Sequence, residues 1–168
     1  MEKKESANWL CRFKLSKYKE DIEAYRDRED EFHRLFTPYE VIEREGNVLL
    51  NTGIDEIWDL VTGASSDYFN NTNAQIGVGD SSTAADASQT DLQAATNKTY
   101  KGMESGYPTS TTQKVTFKSS FGTSEANYAW NEWVVKQSSS AICLNRKAES
   151  LGTKSAGTWT LEVDITLS

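Results

Sequence analysis

The sequence predicts a mainly β protein. It is an antiparallel, jelly-roll-like β-sandwich with one amphipathic helix over about 48–62, led by an N-terminal strand and a charged helical or extended arm. Three observations predict it. The chain closes on a strict alternation, with Trp159, Leu161, Val163, Ile165 and Leu167 on one face and Thr160, Glu162, Asp164 and Thr166 on the other. That is the period of a half-buried strand. Runs of strand character also span Gln113–Phe121, Ala126–Lys136 and Ala141–Arg146, divided by turn-rich stretches at Gly122–Glu125, Gln137–Ser140 and Lys147–Gly157. The chain is rich in Ser, Thr, Asn, Gly and β-branched residues, which suits many strands joined by turns. A strand that is apolar on one face must be covered by a second layer.

A chain of 168 residues fits one domain with an appended arm. The arm is placed at 1–38 and a single sandwich domain at 39–168. Apolar content is low, but five Trp, seven Tyr and six Phe offset that, since each buried aromatic removes about 150–250 Å² from water.

In chain order, Trp9, Cys11, Phe13 and Leu15 alternate with Leu10, Arg12, Lys14 and Ser16, a half-buried strand whose basic outer face fits a sheet edge. Residues 19–36 are dominated by charge, with Ile22, Tyr25, Phe32 and Phe36 on a narrow helical stripe interrupted by Glu29. This segment is either a solvated helix or loop over the sheet, or an arm that docks on a neighbouring subunit. Pro38 stops it, because Thr37 before it is pushed to extended backbone. Tyr39–Glu45 fits a short strand. Asn47 is placed as the N-cap of the amphipathic helix and Gly63 as its C′ residue. The helix carries Leu50, Ile54, Ile57, Trp58 and Val61 on one face, and Trp58 is expected to pack against the sandwich. Gly53 in its interior costs about 1 kcal/mol relative to Ala. Strands are expected at Ala74–Asp80 and Thr99–Met103, with a polar loop between them.

The formal net charge of −7 disfavours direct contact with a nucleic-acid backbone. No apolar run reaches the roughly 20 residues of a membrane span, and residues 1–6 hold no apolar leader stretch. Cys11 and Cys143 are too few for a disulfide framework or a zinc site. Each sits in an apolar strand pattern and is expected as a buried, reduced thiol, which points to synthesis in a reducing cytoplasm.

Candidate chemistry is sparse, and no cofactor is expected. Gly77-Val78-Gly79 opens like a dinucleotide fingerprint, but Ser82 stands where the third glycine belongs and no helix opens there. The glycines fit a turn or bulge better. Asp80, Asp86 and Asp91 lack EF-hand spacing and read as turn aspartates, with an irregular oxygen site as the sharper alternative. His33 is the single histidine and has no nucleophile motif around it. Tyr128, Trp130 and Trp133 suggest either core aromatics or a stacking platform, with Trp133 on the opposite strand face unless a bulge intervenes.

The run Asn73-Ala74-Gln75-Ile76-Gly77-Val78-Gly79-Asp80-Ser81-Ser82-Thr83-Ala84-Ala85, followed by Thr90-Asp91-Leu92, resembles a segment recurrent in structural proteins of tailed bacteriophages. Phe117–Gly122, Glu125–Trp133, Leu144–Lys147 and Gly152–Lys154 continue that likeness, and Gly46–Ile54 precedes it. The resemblance covers roughly residues 39–168. It implies a non-enzymatic virion component, made in the host bacterial cytoplasm, and supplies no catalytic residues. The first expectation is a capsid decoration or cement protein on the head exterior, with the major capsid protein or other virion proteins as partners. A homo-oligomer, a trimer among its forms, goes with that. The alternative is a tail-fibre, collar or baseplate piece contacting host glycan, and the remote alternative a soluble hydrolase. Trp9, Phe13, Tyr25, Phe32, Phe36, Tyr128 and Trp130 are the expected interaction residues.

Overall fold

A computed structural model describes residues 7–168. The first residues of the expected arm, 1–6, lie outside the described residues, and with them the stretch read as lacking an apolar leader.

Among the described residues, ten strands form two antiparallel sheets. The first is ordered β2 (Glu40–Glu45), β1 (Trp9–Tyr18), β10 (Thr158–Leu167), β7 (Lys114–Phe121) and β6 (Thr109–Thr111). The second is ordered β3 (Val48–Leu49), β9 (Cys143–Thr153), β8 (Ala129–Gln137), β4 (Ala74–Gly79) and β5 (Lys98–Gly102). The inner faces bury one shared core. Cys11, Phe13, Leu15, Phe117, Leu161, Val163 and Ile165 come from the first sheet, and Ile76, Val78, Trp130, Trp133, Val135 and Leu144 from the second. The mainly β, two-layer architecture is the one expected.

β10 occupies the span its alternation predicted, with Trp159, Leu161, Val163 and Ile165 buried. β1 departs from its reading. It is an interior strand, paired to β10 on one side and β2 on the other. The strand assigned to a leading arm is therefore built into the sandwich. Its basic outer row has a physical reason other than edge protection. Arg12 and Lys14 stand in register with Glu45 and Glu43 of β2 and with Asp164 and Glu162 of β10, an arrangement in which opposite charges face across strands.

The charged segment forms a 3-10 turn at Ile22–Tyr25 and a short helix α1 at Glu29–Leu35. Three acids open α1 and His33 and Arg34 close it, matching the helix dipole. The predicted stripe packs as a satellite cluster in which Ile22, Phe32, Tyr25 and Phe36 gather on Tyr18. Tyr18 of β1 is its apolar anchor, meeting the Phe32 ring edge-on at 5.0 Å, and hydrogen bonds add a polar one. Arg26 donates to the Ser120 carbonyl at 3.0 Å and Ile22 N–H donates to Thr158 Oγ1 at 2.9 Å.

The amphipathic helix, α2, runs Asn51–Thr62 rather than from 48. Asn47 is not its cap. Its carboxamide oxygen accepts from the Trp9 indole at 3.0 Å, and Val48–Leu49 pair with β9 as β3. Gly63, at φ 74, ends the helix as expected.

A polar loop, residues 80–97, covers the outer face of the second sheet. A fully buried pair holds it. Glu132 accepts from Gln93 N–H at 2.9 Å and Ala94 N–H at 2.7 Å, and Arg146 donates to the Thr83 carbonyl at 2.8 Å and Gln89 Oε1 at 2.9 Å. The Gly77-Val78-Gly79 run lies inside β4. A Cβ on Gly79 would stand 2.5 Å from Glu132 Oε1, and one on Gly77 would stand 2.6 Å from the Tyr100 ring. These glycines admit neighbours rather than a phosphate. Cys11 and Cys143 are buried and free, and burial pushes both thiols up to about 12.

Candidate interaction surface

The expected interaction aromatics are mostly enclosed. Phe13 meets Trp133 edge-on between the sheets, with ring centroids 5.3 Å apart. Trp130 is 0% exposed, packs edge-on against Phe121 and Trp159, and donates its indole N–H to the Ala126 carbonyl at 3.0 Å. A register break between Trp130 and Glu132 turns Trp133 inward as well, so the bulge puts both indoles in one core. Tyr128 is half-buried, its hydroxyl donating to Thr99 Oγ1 at 2.9 Å and lying 3.1 Å from the Val78 carbonyl oxygen. Phe32 is buried in the satellite cluster, with Tyr25 and Phe36 half-buried around it. Trp9 packs on the core margin. These side chains hold the fold together. As an interaction surface, Phe13, Phe32 and Trp130 are corrected: no partner reaches them without opening the chain.

Whereas Leu10, Leu35, Tyr39, Val41, Tyr68 and Leu167 are exposed elsewhere, α2 carries three of the exposed large apolar side chains on one face. Its orientation is set by two residues that the hydrophobic stripe does not contain. Gly53 lies against β9 so closely that a Cβ there would stand 2.3 Å from the Leu144 carbonyl oxygen. Glu56 is buried beside it, accepting from Gln137 Nε2 at 3.0 Å and Ser65 Oγ at 2.8 Å. Ile57 keeps partial contact with the core. Leu50 of the expected stripe is buried with Leu92, Val134 and Cys143, and with Gly53 and Glu56 facing inward, Ile54, Trp58 and Val61 are turned out. Ile54 is 37% exposed, Trp58 63% and Val61 70%. Their i, i+4, i+7 spacing makes one ridge. Trp58, expected against the sandwich, is thus at the centre of the exposed face. Asp55 and Asp59 are exposed along one flank of the ridge, and neither carboxylate has an ion-pair partner among the described residues.

A second feature is an open trough across the outer face of the first sheet. Two adjoining hollows of about 420 and 430 Å³ share Lys14, Glu43 and Glu162. Arg12, Arg44, Glu45 and Asp164 line one end, and Tyr18, His33, Lys118 and Thr160 the other. Acids and bases alternate along it.

His33 belongs to a titratable cluster at that second end. Its Nε2 is 2.8 Å from Glu104 Oε1 and its Nδ1 3.1 Å from the Tyr18 hydroxyl. Ser120 also donates to Glu104, and Lys118 lies 3.4 Å from it. Burial pushes the Glu104 carboxyl up, but the His33 ring, Lys118 and Ser120 outweigh that and hold it below its usual range. The order of contacts differs from a nucleophile–base–acid relay. Ser120 is 1% exposed and its hydroxyl bonds the carboxylate instead of the imidazole.

Among the described residues, no group of three or more His, Cys, Asp or Glu is placed to hold a metal ion. Asp80 accepts from Asn97, Asp86 from Ser88, and Asp91 from Lys136 and Tyr100. No helix among the described residues is long and apolar enough to cross a membrane. Comparison with protein-family models, curated proteins and solved structures finds no match to this chain.

Proposed function

We propose that the chain is a non-enzymatic structural component of a tailed-phage virion, most simply a decoration or cement protein that binds the head exterior. The observation that carries this reading is the Ile54–Trp58–Val61 ridge, a helix face held outward by Gly53 and Glu56. Exposed apolar ridges on a polar surface mark contact sites, and an exposed tryptophan is a favoured anchor of such contacts. The resemblance over 39–168 supports the virion setting, and the net charge of −7 helps keep free copies soluble before assembly. Major capsid protein or another virion protein is the partner, with self-assembly into a symmetric oligomer through other surfaces.

The test is binding to virions of the encoding phage that lack the protein. Trp58→Ala is expected to fold with stability within about 0.5 kcal/mol of wild type, since the side chain is exposed, yet to lose particle binding. Undiminished binding would remove the ridge from the docking role.

A second reading, a tail-fibre, collar or baseplate component that contacts host glycan, is favoured by the mixed-charge trough, whose alternating donors and acceptors suit a neutral polyhydroxylated ligand. Copy number in purified particles separates the two. A value matching the head lattice supports decoration, and one matching a tail ring supports the alternative.

A further inference from the structure

We infer that the α2 ridge is received by an apolar pocket bordered by Lys or Arg on a different protein, and not by a second copy of this chain. The inference rests on the reading of the ridge as a docking element and names the chemistry of what it meets. No Lys or Arg occurs between Arg44 and Lys98, whereas Asp55, Glu56, Asp59, Asp67, Asp80, Asp86 and Asp91 all fall in that span. α2 itself is therefore an acidic, apolar helix with no basic residue. Glu56 is committed to Gln137 and Ser65 inside the fold. Asp55 and Asp59 are exposed beside the ridge and have no ion-pair partner among the described residues.

Two consequences follow for the occupant. In a two-fold contact the same patch of both copies is buried, one residue meeting a second and the second meeting the first in return. A ridge-to-ridge dimer would gather Asp55 and Asp59 of both copies around Trp58, with like charges opposed in a partly dry interface. A contact with another face of a second copy brings together two chains that each carry a net charge of −7, and many of the bases it meets already have acids, as Arg12 has Glu45, Arg28 has Glu31, Arg44 has Glu149 and Lys114 has Asp164. Lys14, Lys19, Arg34 and Lys98 are exposed with no ion pair among the described residues, so this contact is the competing occupant that the oligomeric state tests. A foreign pocket with an unpaired basic rim satisfies both the ridge and its acid flank. Its attraction for a chain of net charge −7 also speeds the encounter at low salt.

Trp58 gives the readout. Trp130, Trp133 and Trp159 are buried and Trp9 is partly so, hence acrylamide quenching of exposed tryptophan reports chiefly on Trp58. Two synthetic amphipathic helical peptides serve as probes, one of Leu and Lys and one of Leu and Glu. The Leu/Lys peptide is expected to shield Trp58, with affinity that falls as salt rises, and the Leu/Glu peptide to leave it open. Asp55→Asn with Asp59→Asn is expected to weaken Leu/Lys binding by about tenfold. Equal shielding by the two peptides, shielding by neither, or no effect of the paired substitution would overturn the inference. Sedimentation velocity is expected to give the same oligomeric state for wild type and Trp58→Ala. Dissociation on that substitution would place a second copy on the ridge and overturn the inference too. The two readings fail separately on virions. If Trp58→Ala still binds, the docking role itself is lost. If Trp58→Ala fails to bind while the Asp55→Asn/Asp59→Asn protein binds as wild type, only the basic pocket is lost.

Discussion

Glu132 and Arg146 face each other from adjacent strands with both side chains at 0% exposure, the Arg146 Nη2 standing 2.6 Å from Glu132 Oε2. Neither strand needs this pair for its own ladder. It serves the loop over the second sheet, because each partner spends its remaining hydrogen bonds on loop backbone or on Gln89.

Removing one partner leaves a buried charge without an answer, which costs about 3–5 kcal/mol. Arg146→Met and Glu132→Gln are each expected to lower the urea midpoint by a loss of that order. Limited proteolysis is expected to cut first within residues 80–97. The double substitution is expected to cost less than the sum of the singles, since neither charge then remains. Additive losses would mean that the two groups act independently.

The sandwich was legible where side chains alternate along a strand, as in β10 and in Ala74, Ile76 and Val78 of β4, and both were found at nearly their observed bounds. In β4 the alternating partners are Gln75 and two glycines, and the glycines are buried under Tyr100 and Glu132. β9 was predicted to end at Arg146 but runs to Thr153. Its second half, Lys147-Ala148-Glu149-Ser150, lacks apolar alternation because much of it faces solvent, and pairing with β8 alone keeps it extended. β3 and β6 are too short to show a period.

The interaction surface was illegible for a different reason. An apolar stripe at helical spacing normally marks the buried face. On α2 the inward face was decided by the backbone approach of Gly53 to Leu144 and by the bond from Gln137 to Glu56. Those partners lie far along the chain, where no local pattern reports them. The one available signal was Gly53 itself, a costly residue in a helix interior whose function is close approach.

Gly53→Ala separates these ideas by the sign of its effect. In a helix held only by its own propensity, the substitution stabilises by about 1 kcal/mol. Here the new methyl meets the Leu144 carbonyl, and over-packing of that kind costs about 1–3 kcal/mol. Urea denaturation is expected to show a net loss, with Trp58 fluorescence shifting as α2 is displaced. A gain in stability would mean that the helix is not seated against β9.

Lys154 supplies a pH dependence of unusual sign. Its side chain is 1% exposed, and its ammonium donates to the Gly122 carbonyl at 2.7 Å and to Asn127 Oδ1 at 3.0 Å. Both acceptors are neutral. Burial pulls the group down from 10.5 to about 8, against the opposing fields of Glu125 and Asp21. Between those two values the unfolded chain binds a proton that the folded chain does not, so this group makes stability rise with pH through that window. Below pH 8 the folded protein carries the full penalty of a buried ammonium. Urea midpoints of wild type and Lys154→Met are therefore expected to draw apart in favour of wild type as pH is raised from about 8 to about 10. The other lysines are common to both proteins and cancel in the difference. A difference that stays level across that range would mean that Lys154 titrates as an exposed lysine does, and that its surroundings stabilise its charged form as much as burial opposes it.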